Sequence, residues 1–403
     1  MIGTIALFGA PLSQAMVVRS PAKLTIADTG LSNSKKNNQS TKPVTENKKT
    51  VPKTPAVQIR SSDCQSSAPM RPGLNSSESP QLRKLSQYEK VCGSGIINQL
   101  SFFVAMPTTA GEASEYARNV AAQLREFATY GIAPLVFLEP TTASGLVDMK
   151  AFRAGNYDTV LDAYFSALKS AQITDQMMGT WVSFPEGNIP VWTSVDPGDF
   201  VASVTKTVTF QKKYFPSSRA SIMLDTLSYP SAANWNDGKA VSLLPYVSGI
   251  PGGLIDSFGL QGFPWTPAAN ETGSNNGAPK NYLRVSLAAE AARALNVKNI
   301  WLNTGTFGVK YANQSGRQVG VSSAQRLASL IETVAQAKTL QAGGFAVSMH
   351  LFAEDKSRVP EATDWSYWPS GQSGTSASTT AFKTFAHDLQ AANIPLWLFD
   401  ADE

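Results

Sequence analysis

Carboxyl, amide and imidazole side chains recur in this chain at one kind of place, the C-terminal end of a short apolar run. Glu139 follows APLVFL in the run 133–140, Glu186 closes MGTWVSFPE (178–186), and Asp225 lies within ASIMLDTLSY (220–229). Gln261, Asn303, His350 and Glu354 stand similarly in GLIDSFGLQGF (253–263), KNIWLNTGTF (298–307) and GFAVSMHLFAE (344–354), and Asp400 in IPLWLFDAD (394–402). A single carboxylate at such a position more often caps the next loop or helix than reacts. Several converging on one surface form a polar pocket, where one carboxyl can deliver a proton while another activates water. Metal chemistry is not expected, because the only histidines, His350 and His387, and the only cysteines, Cys64 and Cys92, do not cluster. In an exported chain those two cysteines could pair and staple the N-terminal segment to the body. No GxGxxG and no GxxxxGKS/T follows any of the runs, so no nucleotide cofactor is expected either.

These residues need elements that bring them to one face. With LSFFVAMP (100–107) as the first, the body has eight short, nearly continuous apolar runs. Helical periodicity fills the intervals over 115–130, 157–170, 200–214, 286–295, 323–341 and 380–392. Apolar runs without strict alternation, separated by amphipathic helices, are the pattern of parallel strands covered on both faces. Eight such units in the body predict an α/β fold of the (β/α)8 TIM-barrel type over residues 87–403, with any active site at the C-terminal ends of the strands.

All eight tryptophans lie after residue 180, and Trp192, Trp235, Trp265, Trp365 and Trp368 fall in segments that follow strands. Aromatic faces beside carboxylates are suited to the C–H faces of a pyranose ring, although Trp is also a common loop-core residue. The stretch FRAGNYDTVLDAYFSALKSAQ, followed by MGTWVSFPEGNIPVW, resembles glycoside hydrolase family 26, the β-mannanase-type barrels. There an aGxYD helix start precedes a strand ending in (H)E-x-N-G-x-x-x-W. The resemblance aligns Gly155, Tyr157 and Asp158 with the helix start and Glu186 with the general acid/base. YVSGIPGGLIDSFGLQGFPW is similar to a later family segment and aligns Asp256, Gly259, Gly262 and Trp265. LFAEDKSRVPEATDW looks like the end of the family's eighth strand, with Asp355, Lys356, Asp364 and Trp365. The likeness spans about residues 100–390 and implies a polysaccharide substrate. It also shifts the strand order, since the first run aligns with the family's second strand; IPLWLFDAD would then complete a permuted barrel.

The departures bear on mechanism. The family's nucleophile is the Glu of a seventh-strand ETG, and this chain reads NTG there, with Asn303 in its place. Pro185 replaces the histidine before the acid/base, and Gln261 replaces a sixth-strand aspartate. An amide cannot serve as the nucleophile of a retaining glycosidase, whose two carboxyls stand about 5–5.5 Å apart. Two mechanisms remain. In the first, Glu186 is the general acid and Asp225 or Glu139 the base acting on water, with inversion at a separation of about 6.5–9.5 Å. In the second, Glu354 crosses the mouth as nucleophile and Asn303 holds a sugar hydroxyl. Asn188, Trp192, Tyr229, Gln261, Trp265, Asn303, His350, Glu354 and Trp365 are the expected sugar contacts. The rival class is a carbohydrate-binding or cell-surface protein that kept the cleft and has no catalysis.

The net charge of +4 is unevenly placed. Residues 31–60 hold seven basic residues against Glu46, so the rest of the chain beyond residue 60 is slightly acidic. That balance, with no basic stripe interleaved with aromatics, argues against a nucleic-acid partner. Residues 28–86, rich in Ser, Asn, Thr, Lys and Pro, read as a disordered linker, with cell-envelope tethering as the sharper alternative to simple solvation. Residues 1–27 contain an apolar run (2–16) that resembles a secretory signal without its positive start. A secreted or cell-surface protein, acting as a monomer, is the expectation.

Overall fold

The computed structural model describes Leu82, Leu85 and residues 97–142, 145–188, 196–226, 242–262, 283–305, 309–312, 317–319, 323–352, 355–356, 363–364 and 376–399. Eight parallel strands form a closed barrel: β1 (Ile97–Val104), β2 (Ala133–Leu138), β3 (Thr180–Ser183), β4 (Arg219–Asp225), β5 (Ser257–Gln261), β6 (Asn299–Gly305), β7 (Ala346–Phe352) and β8 (Leu396–Phe399). Each strand pairs with its neighbours in chain order, and β8 closes the ring by pairing with β1 at Leu396↔Ile97 and Leu398↔Leu100. The C-terminal run is therefore a barrel strand, and all eight apolar runs of the sequence are the eight barrel strands. The run containing His350, aligned above with a family eighth strand, is the seventh here.

Six longer helices occupy the intervals: α1 (Ala110–Thr129), α2 (Asp158–Ser170), α3 (Pro197–Tyr214), α4 (Val285–Ala294), α5 (Ser323–Ala342) and α6 (Ser376–Ala391). Their starts are written locally. Thr109 accepts from the Glu112 amide at the α1 N-terminus, and Asp196 accepts from the Gly198 and Asp199 amides ahead of α3, which has Pro197 in its first turn. Gly155, in the left-handed region at φ 98°, ends the short helix Met149–Ala154 and lets the chain turn into α2. The family-like trio at this point is structural: Tyr157 stacks on Phe152, and Asp158 accepts from Lys206 of α3 at 2.8 and 3.0 Å.

Strand residues alternate between two cores. Val136, Leu138, Ile222, Leu224, Phe258, Leu260, Ile300 and Leu302 join the apolar cluster formed with the helices. The alternate positions point into the barrel, where Phe137, Met223, Trp301 and His350 are buried apart from that cluster. Trp301 fills the interior, donating from Nε1 to the Ser221 hydroxyl at 2.9 Å and meeting Phe137 and His350 edge-on at 6.0 and 5.6 Å. Gly259 makes room for this, since a Cβ there would stand 2.2 Å from Trp301 Cζ2. The packing also reaches into the segment expected to be linker: Leu82 and Leu85, three apart and helical, are fully buried in the main core.

Small ladders not anticipated from the sequence add to the strand ends. Thr141–Thr142 pairs with Gly145–Leu146 beyond β2. A four-stranded antiparallel sheet joins Arg317–Val319, Val309–Ala312, Thr363–Asp364 and Asp355–Lys356, linking the segments that follow β6 and β7. Asp355, Lys356 and Asp364 of the family-like segment lie in it. Among the described residues no helix is long and apolar enough to cross a membrane.

Candidate active site

The C-terminal ends of β2, β3 and β4 each deliver one carboxyl. Glu139, Glu186 and Asp225 are 5%, 7% and 6% exposed, so all three are withdrawn from bulk water. Carboxyls are seldom buried to this extent without partners. Glu139 continues the β2 ladder, its amide donating to the Val104 carbonyl at 2.9 Å, and its Oε2 accepts from the Thr141 hydroxyl at 3.1 Å. Asp225, the last residue of β4, accepts from Gln261 Nε2 at 3.3 Å.

Glu186 is held less conventionally. After β3 the chain leaves extended geometry twice, with Phe184 at φ 53° and Glu186 at φ 58°. Non-glycine residues avoid this left-handed region, and a bulky Phe there is an outlier. The surroundings impose it. The Phe184 amide donates to Leu138 O at 2.8 Å, the Glu186 amide donates to Met223 O at 2.9 Å, and the Phe184 ring is buried edge-on against Phe152. Gly187 follows because Phe200 of α3 presses on the loop; a Cβ at 187 would lie 2.2 Å from Phe200 Cε2. The loop thus hooks onto β4 two residues before Asp225, and Glu186 and Asp225 share one side of the mouth.

Asn188, expected as a sugar contact, spends its amide on the protein. Its Nδ2 donates to the Asp225 carbonyl at 2.8 Å, and its Oδ1 accepts from the Asp225 amide at 2.9 Å. Gln261 is similarly engaged at both ends, donating to Asp225 and accepting from Asn303 Nδ2 at 2.8 Å through Oε1. Asn303, fully buried, also directs Nδ2 to Met223 Sδ at 3.6 Å, while its Oδ1 has no hydrogen-bond partner. Asp225, Gln261 and Asn303 are register partners along β4, β5 and β6, so the hydrogen-bonded chain follows one layer of the barrel. His350 is the register partner of Asn303 on β7; it is fully buried and packed on Phe137 and Trp301, inside the barrel beneath the rim.

Trp192, Tyr229, Trp265, Glu354 and Trp365 lie outside the described residues, as do Cys64, Cys92 and Asp400. The structure therefore brings together Glu139, Glu186, Asp225, Asn188, Gln261 and Asn303. Residues that sequence reasoning passed over are Thr141, which binds Glu139, Gly187, which admits Phe200, and Met223, whose carbonyl and sulfur serve the Glu186 and Asn303 contacts. The glycine between Glu186 and Asn188 was the one signal that could have indicated a close approach.

No family model matches the chain, and no curated protein matches it. Solved structures similar to it include the β-glycosidase BGL167, at 12% identity and a TM-score of 0.49, covering 80% of this chain and 88% of that one. The virulence factor SghA from Agrobacterium tumefaciens is similar at 11% identity and a TM-score of 0.47, over 76% of this chain and 85% of that one. The family 1 β-glucosidase from Thermotoga maritima is similar at 10% identity and 0.46, over 76% and 85%.

Proposed function

We propose that this barrel is a glycoside hydrolase acting on a polysaccharide, with Glu186 as general acid and a neighbouring carboxylate as base. The observation that carries the reading is the burial of three carboxyls on the adjacent ends of β2, β3 and β4, one of them on a strained backbone. Strain in sparsely populated backbone regions clusters at functional sites. Asp225 is the preferred base, because the loop bearing Glu186 is bonded to the strand that bears Asp225. Glu139 is its counterpart on the other side. With Asn303 where a retaining enzyme would carry its nucleophile, the first mechanism is a single displacement by water: Asp225 takes the water's proton as the C–O bond forms, and Glu186 protonates the departing oxygen. The anomeric configuration then inverts. Secretion or cell-surface display, with the Ser-, Asn- and Lys-rich residues ahead of Leu82 as a spacer, belongs to the same reading and is supported by composition.

A second reading, a carbohydrate-binding protein without turnover, is favoured by one feature: the amide of Asn303, fully buried and bonded to Gln261. A polysaccharide panel distinguishes them. The enzyme releases reducing sugars of inverted configuration by proton NMR, and Glu186→Gln abolishes release without lowering the melting temperature. Glycan binding without release, indifferent to Glu186→Gln, establishes the second reading instead.

A further inference from the structure

An asparagine two residues beyond the buried carboxyl of Glu186 invites assignment to the ligand; its bonds point elsewhere. β3 ends at Ser183, and the five-residue stretch Phe184-Pro185-Glu186-Gly187-Asn188 no longer runs in strand conformation, with two residues at positive φ. Such a segment would swing away from the barrel unless something replaced the lost ladder. Asn188 supplies the replacement. Its side-chain amide offers the same donor and acceptor pair as a peptide unit, and both atoms engage the backbone N–H and C=O of the single residue Asp225 at 2.9 and 2.8 Å. Buried to 4% exposure, these bonds compete little with water.

We infer that Asn188 is a positioning residue, a side-chain surrogate for a strand rung that locks the Glu186 loop in register with the end of β4 and so fixes the separation of Glu186 and Asp225. The inference rests on the reading of these two as acid and base for its kinetic consequence, not for its structural one. Without Asn188 the loop is tied to β4 by the Glu186 amide bond to Met223 O, and the strained residues Phe184 and Glu186 have room to relax. A displacement of about 1 Å between reacting groups is enough to cost about a hundredfold in rate.

The test uses hydrogen exchange of the full chain together with kinetics on the hydrolysed polysaccharide. Asn188→Ala removes both bonds, whereas Asn188→Asp keeps an acceptor for the Asp225 amide and loses the donor to its carbonyl. Exchange in peptides covering 182–188 and 223–226 accelerates by about tenfold in Asn188→Ala and less in Asn188→Asp, while 133–138 is unchanged. Turnover per folded molecule falls about a hundredfold in Asn188→Ala with KM within about threefold, and Asn188→Asp is intermediate. Unchanged local exchange overturns the inference, and so does faster exchange with turnover intact. Faster local exchange in a protein whose wild type hydrolyses nothing upholds the lock and removes the acid/base reading. Should Asn188→Ala not fold, the wild type decides: an Asp225 amide that exchanges as fast as in an unstructured peptide refutes the lock.

Discussion

The rim of the barrel has two unlike halves. From β2 to β4 it carries acids, Glu139, Glu186 and Asp225, one of them at the end of a backbone forced into left-handed geometry. Among the described residues, β5 and β6 bring the neutral amides Gln261 and Asn303, and β7 brings His350 inside the barrel beneath them, all on regular strands. The first half has the groups that proton transfer requires, held on a backbone that its own hydrogen bonds and the packing of Phe184 keep strained. The second half is a buttress: Asn303 donates to Gln261, Gln261 donates to Asp225, and His350 packs against aromatic rings. Among the described residues, two buried carboxyls on adjacent strand ends occur only in the first half.

The contrast can be broken most forcefully by removing acids. Glu186→Gln and Asp225→Asn should each lower turnover by about 10²–10⁴-fold at unchanged fold, measured by sugar release and thermal melting. Gln261→Leu, on the other half, should lower turnover far less. Its larger effect is on stability, a loss of about 1–3 kcal/mol in urea unfolding, because Asp225 and Asn303 lose buried partners. Equal kinetic losses on both halves would erase the distinction. Gly259→Ala tests the buttress from inside: its Cβ would collide with the Trp301 indole, and unfolding free energy should fall by about 1–3 kcal/mol with quenching or shift of tryptophan fluorescence.

A smaller change sharpens the comparison by reversing sign. Glu186→Asn places at φ 58° a residue that tolerates left-handed geometry, so it should raise stability by about 1 kcal/mol while abolishing hydrolysis. No gain in melting temperature would mean the loop is not strained. The smallest effect lies outside the rim. Asp162 of α2 accepts from Lys213 Nζ and Tyr214 Oη of α3, and the lysine bond foremost holds its carboxyl below the ordinary range. A depressed folded value stabilises above the unfolded carboxylate value and is lost as pH falls through the folded one. The melting difference between wild type and Asp162→Asn should thus persist at neutral pH and close in acid, below the ordinary aspartate value of 3.8.

The sequence makes the barrel plain and its rim only in part. Continuous apolar runs such as ASIMLDTLSY can only be buried on both faces, and their alternation with helical periods leaves few architectures. Which strand-end polar groups face a ligand is a different matter. Asn188 and Gln261 look like sugar contacts by type and place, yet each turns both amide atoms onto the protein, a choice made by the geometry of neighbouring strands and invisible to spacing. Likewise Gly259 reads as a family-like glycine, while its reason is a tryptophan 42 positions later lying across it. Ladders of two to four residues, such as Val309–Ala312 against Arg317–Val319, are too short to show a period.

The closure of the ring between β8 and β1 has a consequence for how the molecule is made. The last barrel strand must seat between β1 and β7, so until it arrives both present unpaired backbone edges. A nascent chain emerging from the ribosome carries the open edge of β1 through most of its synthesis and that of β7 only near its end, and the long separation of β1 from β8 in sequence makes the sealing step slow. Leu396–Phe399, four residues long, is thereby the segment whose docking removes the barrel's own open edges.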